Sequence, residues 1–159
     1  MSDGSATTCP PPPTRAEIVR RARAWLGTPY HHQASRLGAG CDCVGLVRGL
    51  YREIVGEETE PVPGYSRDWA EASGAETLIE AAGRHLLPVA PAAARPGDVL
   101  VFRYRPNTIA KHTGVLADFP DGAPSLIHAL EGRGVVEVPL GGWWRRRIAA
   151  AFSFPGIID

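Results

Sequence analysis

Cys41-Asp42-Cys43-Val44-Gly45-Leu46-Val47 is a loop turning into a helix. Asp42 is of a type that caps a helix start. Val44, Val47, Leu50, Tyr51 and Ile54 recur at helical spacing and give the helix one apolar face, ending near Gly56. Cys43 falls in the first turn, where unpaired backbone N–H groups and the positive end of the helix dipole favour thiolate over thiol. A thiol with a pKa near 8.5 is only about 3% ionised at neutral pH, so a helix start together with an imidazole is a setting that makes it reactive. The plainer reading is a small cysteine packed into a core.

Two histidines lie far downstream. His112 stands in Lys111-His112-Thr113-Gly114-Val115-Leu116-Ala117, at the start of a short apolar run that reads as a strand. His128 stands inside a second such run, Ser125-Leu126-Ile127-His128-Ala129-Leu130. Adjacent antiparallel strands could bring the two imidazoles side by side, although either could also be a satisfied core histidine. The chain order of cysteine, histidine and then a third polar residue fits papain-like enzymes, where the third group orients the imidazole.

Four segments carry a resemblance. Asp42-Cys43-Val44-Gly45-Leu46-Val47, Pro96-Gly97-Asp98-Val99-Leu100-Val101-Phe102, His112-Thr113-Gly114-Val115 and Ile127-His128-Ala129 resemble, in order, the NlpC-type cell-wall peptidase family. Gly27-Thr28-Pro29-Tyr30 is similar to its opening block, so the likeness runs from about residue 14 to about residue 154. The resemblance implies cleavage of peptidoglycan stem peptides, typically between γ-D-glutamate and a diamino acid, without metal or cofactor. It makes Cys43 the nucleophile, His112 the base and His128 the orienting group, with Tyr30 beside the nucleophile. It also implies that Asp42 helps to hold the free amine of the stem peptide. Two departures stand out. Val44 occupies the place of a common serine, removing a hydroxyl, and Tyr30-His31-His32-Gln33-Ala34 replaces an aromatic residue and a glycine pair. The valine and the compact chain look most like the branch carried with phage tails and gene-transfer particles, which implies tail proteins as partners and action on the cell wall. The same machinery could pass its acyl group to an amine or lipid, as in a papain-like acyltransferase, or persist in a non-catalytic structural part of a tail.

Composition fits one papain-like domain over 14–159 behind a flexible Pro-rich tail at 1–13. A chain of 159 residues with 44% hydrophobic content can bury a core without staples. Lys plus Arg equals Asp plus Glu at 17 each, which gives no overall electrostatic case for nucleic acid. The first residues are polar and lack the charged start and apolar stretch of a secretory signal, and no run is long enough to span a bilayer, so synthesis in the cytoplasm is expected. The three cysteines cannot all pair, and Cys41 and Cys43 are too close for an unstrained bridge. A zinc site built from Cys41, Cys43, His112 and His128 is disfavoured, because a single residue separates the two cysteines where structural zinc sites use about two to four.

Thr14-Arg15-Ala16-Glu17 is a capping-box pattern, followed by Ile18, Val19, Ala22, Trp25 and Leu26 at helical spacing up to Gly27. Residues 57–69 read as a loop and 75–86 as a third helix bearing Leu78, Ile79, Ala82 and Leu86. An Ala-Pro linker follows at 88–96. Short apolar runs at 99–104, 113–116, 126–130, 135–138 and 148–154 read as strands. Helices first and an antiparallel sheet afterwards give an α+β domain, with the cysteine helix laid on the sheet that bears the histidines. Asp98 reads as a turn residue and not as a catalytic acid. Gly141-Gly142-Trp143-Trp144-Arg145-Arg146-Arg147 could stack on sugar rings or dock a protein, but so short a cluster reads first as a surface turn whose tryptophans cap the core.

Overall fold

The structure, a computed structural model, describes residues 9–60 and 76–159. Three expectations fall partly outside these residues: the tail at 1–13, the loop at 57–69 and the helix start at residue 75. Helix α1 spans Arg15–Ala24, and the Thr14 hydroxyl caps it by accepting the Glu17 N–H at 3.1 Å. Its face of Ile18, Val19 and Ala22 is buried together with Trp25. Leu26 shares the spacing but is exposed, because the helix stops at Ala24 and Gly27 turns the chain at a φ of +85°.

A short hairpin of β1 (Ser35–Arg36) and β2 (Gly40–Cys41) leads into α2, Cys43–Ile54. The buried residues of α2 are Gly45, Leu46, Gly49 and Leu50, while Val44, Val47, Tyr51 and Ile54 sit at the margin of the same core. The apolar face is therefore rotated from the expected one. Glycines carry no hydrophobic signal, yet here they allow close approach: a Cβ on Gly49 would lie 2.2 Å from the Trp25 ring. Helix α3 spans Thr77–His85 and buries Leu78, with Leu86 buried just after it.

Among the described residues, six strands form one antiparallel sheet. They are β3 (Leu87–Val89), β4 (Val99–Phe102), β5 (His112–Asp118), β6 (Pro124–Leu130), β7 (Gly134–Pro139) and β8 (Ile148–Ser153), in the order β3-β8-β4-β5-β6-β7. All five expected strands are present, and the supposed linker supplies β3 as an edge strand. Pro88 is tolerated there because an edge position can forgo a ladder donor. Alternation divides the sheet. Val99, Val101, Val115, Ala117, Ile127 and Ala129 face the helices, and each fully buried valine or isoleucine contributes roughly 1.5–3 kcal/mol. Leu100, Phe102, Leu116 and Leu126 form a second core on the other face with Leu140 and Trp144, the latter from the short helix α4, Gly142–Arg145.

Asp98 is more than a turn residue. It is fully buried, pairs with Arg15 Nη1 at 2.7 Å and accepts the Arg95 N–H at 2.8 Å, fastening the start of α1 to the start of β4.

Two of the helical glycines, Gly49 and Gly83, give opposite expectations. Gly49→Ala should cost about 1–3 kcal/mol, because the new methyl overlaps the Trp25 ring. Gly83→Ala, whose Cβ would meet only Phe152 at 4.0 Å, should gain about 0.5–1 kcal/mol from helix propensity. Denaturant midpoints measure both, and equal signs would contradict this packing.

Candidate active site

The site begins at the loop that hands Cys43 to α2. The Asp42 carboxylate organises that junction: Oδ1 accepts the Gly45 N–H and Oδ2 accepts the Gln33 N–H, both at 2.7 Å. Gln33 adopts a left-handed φ of +64°, so its amide turns toward the carboxylate. Asp42 is only 2% exposed. An amine-holding role would have to use lone pairs that these amides leave over. Tyr30 bridges to Cys41, and His31 N–H donates to the Cys41 carbonyl at 3.1 Å, which places Tyr30 beside the same junction.

Cys43 is partly exposed at the first position of α2. Its sulfur lies 4.0 Å from the Lys111 carbonyl oxygen and also meets the Thr113 backbone amide, so it is bracketed by the two neighbours of His112. His112 opens β5 and His128 lies in the middle of β6. Val115 pairs with Ile127, and the same register carried on sets His128 across from Gly114. A Cβ on Gly114 would come within 3.0 Å of the His128 Cβ and 2.7 Å of Leu126. The missing side chain is the room into which His128 leans. His112 Nε2 and His128 Nδ1 then meet at 2.8 Å, leaving His112 Nδ1 outside that bond.

Both imidazoles point to the sheet face away from α1 and α2, where aromatic rings enclose them. Trp144 lies 5.5 Å from the His112 ring and 5.0 Å edge-on from the His128 ring, and it packs on Phe102 at 5.0 Å. Tyr104 stacks on His112 at 5.8 Å with planes 24° apart. The tryptophan turn therefore caps the histidine pair itself. Trp144 belongs to the tryptophan pair that the sequence offered first as a core-capping turn and otherwise as a sugar-stacking cluster, whereas nothing in the sequence pointed to Tyr104.

These surroundings set the charges. Burial pushes the Cys43 thiol up to about 12, with the Asp42 charge adding to it, while the backbone amides of Thr113, Val44 and Cys43 pull the other way. Burial also pushes His112 down to about 3, helped by His128, and His128 down to about 4, helped by Arg133. At rest the group is an uncharged thiol beside two neutral imidazoles joined by one hydrogen bond. Cys41 is fully buried behind the junction, its thiol also pushed up to about 12 by burial first and by Asp42. Among the described residues no group of three or more His, Cys, Asp or Glu is placed to hold a metal ion.

Residues 27–152 match the model of the NlpC/P60 family. Among solved structures, the NlpC/p60 domain of the peptidoglycan hydrolase SagA is 22% identical with a TM-score of 0.58, covering 89% of this chain and 99% of that one. An NlpC/P60 family protein from Bacillus cereus is 20% identical at a TM-score of 0.62, covering 91% of this chain but 41% of that one. NlpC2 from Trichomonas vaginalis is 16% identical at 0.59, covering 92% and 49%. The chain thus spans under half of the last two. At such identities the likeness is one of fold: helices against an antiparallel sheet in the papain-like manner. No curated protein matches the sequence.

The histidine pair has a consequence for stability. Both pKa values lie below the 6.5 of a free imidazole, so between about pH 6.5 and pH 4 the unfolded chain binds protons that the fold does not. Stability should fall as the pH drops through that window, and thermal melts of His128→Gln should show a shallower fall than wild type. Parallel falls would remove the pair as the cause.

Proposed function

The chain belongs to the NlpC/P60 family, and from that premise we propose that it is a cysteine peptidase of peptidoglycan stem peptides, cutting between γ-D-glutamate and the diamino acid. The observation that carries this is the bracketing of the Cys43 sulfur by the neighbours of His112, with His128 bonded to the far ring nitrogen at 2.8 Å. His112 Nδ1 takes the thiol proton, and the thiolate attacks the γ-glutamyl carbonyl carbon. His128 Nδ1 accepts the His112 Nε2–H and steadies the imidazolium. The backbone amides of Cys43 and Val44 serve the oxyanion. The C–N bond breaks as His112 returns the proton to the leaving amine, and water then opens the thioester with His112 again as base.

Tyr30 lines the substrate side of the junction in this reading, and Val44 presents an apolar wall. Asp42 shapes the loop with both oxygens on backbone amides. Action at the cell wall as part of a phage-like tail is the setting we propose, supported by the valine after the nucleophile.

A second reading, acyl transfer to an amine or lipid, draws on an apolar cavity of about 170 Å³ between α2, α3 and β4. Val44, Val47, Leu78, Ala82, Val99 and Thr113 are among the described residues that line it. A long acyl chain retained on Cys43, seen by intact mass after incubation with a lipid ester, would favour transfer. Stem-peptide fragments released into water favour the peptidase.

Cys43→Ala and His112→Ala should abolish fragment release from purified peptidoglycan, followed by mass spectrometry, while the proteins stay folded. His128→Gln should keep more activity than His128→Ala, since orientation needs only an acceptor. Wild-type rates in Cys43→Ala would end the proposal. Asp42→Asn replaces one acceptor oxygen with a donor, so one buried amide loses its partner, and stability should fall by about 1–3 kcal/mol. Turnover of free-amine and N-acylated stem peptides should then fall by the same factor; a loss confined to free-amine substrates would restore amine recognition to Asp42.

A further inference from the structure

Trp143 and Tyr104 are large aromatic side chains left open beside the histidine pair, 47% and 38% exposed. They come from two segments locked together. The Arg103 N–H donates to the Arg147 carbonyl at 2.8 Å, joining the β4–β5 loop to the turn after α4. Arg147 braces the Trp143 ring and the Tyr104 backbone: its guanidinium lies 3.8 Å over the centre of the Trp143 ring, Nη1 donates to the Trp143 carbonyl at 2.8 Å and Nε donates to the Tyr104 carbonyl at 3.2 Å. Trp144, wedged against the histidines, sets Trp143 at 4.7 Å and nearly perpendicular to itself. Surface aromatic rings normally turn freely and pay an ordering cost on binding; these are held before any ligand arrives.

The platform adjoins the reacting groups. Tyr104 stacks directly on His112, and Trp143 is 6.3 Å from Tyr104. The steps from His112 to Trp144 and from Trp144 to Trp143 are 5.5 and 4.7 Å, so the Trp143 ring lies within about 10 Å of the base. That span can be compared with the substrate of the reading above, on which this inference rests. In a stem peptide the scissile γ-glutamyl carbonyl is separated from the glycan strand by D-glutamate, L-alanine and a lactyl group. An α-linked residue reaches roughly 3.5 Å, the γ-linked glutamate two further C–C bonds beyond that, and the lactyl group a few ångströms more, which puts the first sugar ring up to about 12 Å from the bond that breaks when extended and nearer when the peptide bends.

We propose that Trp143 and Tyr104 form a sugar-binding platform that receives the N-acetylmuramic acid ring carrying the stem peptide, so that the enzyme selects peptides still attached to glycan. The C–H face of a pyranose ring is flat and apolar and matches a rigid indole. The exposed Arg105 and Arg146 offer donors for the hydroxyl, acetamido and carboxylate oxygens around it. Such a substrate has an acylated N-terminus. It requires no carboxylate for a free amine, in keeping with the commitment of both Asp42 oxygens to backbone amides.

The test compares a disaccharide-linked stem peptide with the same peptide bearing only an N-lactyl cap. Trp143→Ala should raise KM for the linked substrate about tenfold with kcat within about twofold, and its effect on the capped peptide should be at least about fivefold smaller. Trp143→Phe should recover most of the loss. Equal losses on both substrates, or none on the linked one, would overturn the platform. A separate measurement keeps the outcome apart from that of the peptidase reading. The disaccharide of N-acetylglucosamine and N-acetylmuramic acid, titrated into wild type and Trp143→Ala and followed by the indole N–H resonances, should shift the former and leave the latter nearly unmoved. If neither peptide is cleaved, the peptidase reading fails while this titration still decides the platform, and absence of binding to wild type would end it.

Discussion

The register between β5 and β6 is the constraint on which the site depends. Val115 opposite Ile127 sets His128 across from a glycine, and His112, two residues along the same face, receives its hydrogen bond. A slip of one residue would send His128 to the helix face and draw Ile127 or Ala129 out of the main core. Burial of the odd-numbered positions against α1 and α2 therefore helps to hold the imidazole pair in place from the opposite face of the sheet. Packing energy on one face of the sheet is used to position polar groups on the other.

The same arrangement fixes the electrostatics. Imidazoles exposed to water would titrate near neutrality, but under Trp144 and Phe102 they stay neutral well into acid. The thiol is likewise held un-ionised, with burial outweighing the backbone amides at the helix start. A helix dipole alone therefore leaves this sulfur as a thiol. In the proposed mechanism the charge-separated state forms by proton transfer to His112, with His128 as the acceptor beside it in a buried setting.

Asp42 links the two halves of the site. Its carboxylate joins the loop holding Tyr30 to the first turn of α2 through two amides at 2.7 Å, so the position of the sulfur depends on a residue that presents almost no surface to solvent. Arg15 with Asp98 does the comparable task at the other end of the core, where α1 meets β4.

Much of this was legible in the chain. Apolar spacing located α1, α2 and α3 and all five longer strands, because a helix or strand that buries one face must repeat its apolar residues at its own period. The loop-to-helix setting of Cys43 and the strand settings of His112 and His128 were visible for the same reason. What remained hidden depends on contacts between distant segments. The buried stripe of α2 turned toward Gly45 and Gly49, since close approach to Trp25 leaves no hydrophobic mark in the sequence. Two-residue hairpin strands and the proline-bearing edge strand β3 are too short for any period to register. The Asp42 oxygen on the Gly45 N–H is the helix cap the sequence pointed to, but the other oxygen's bond to Gln33 and the roles of Trp144 and Tyr104 were decided only by the tertiary structure. A local pattern reports which face of an element is apolar, whereas the partner that covers a given ring or carboxylate is chosen by the fold of residues far away in the chain.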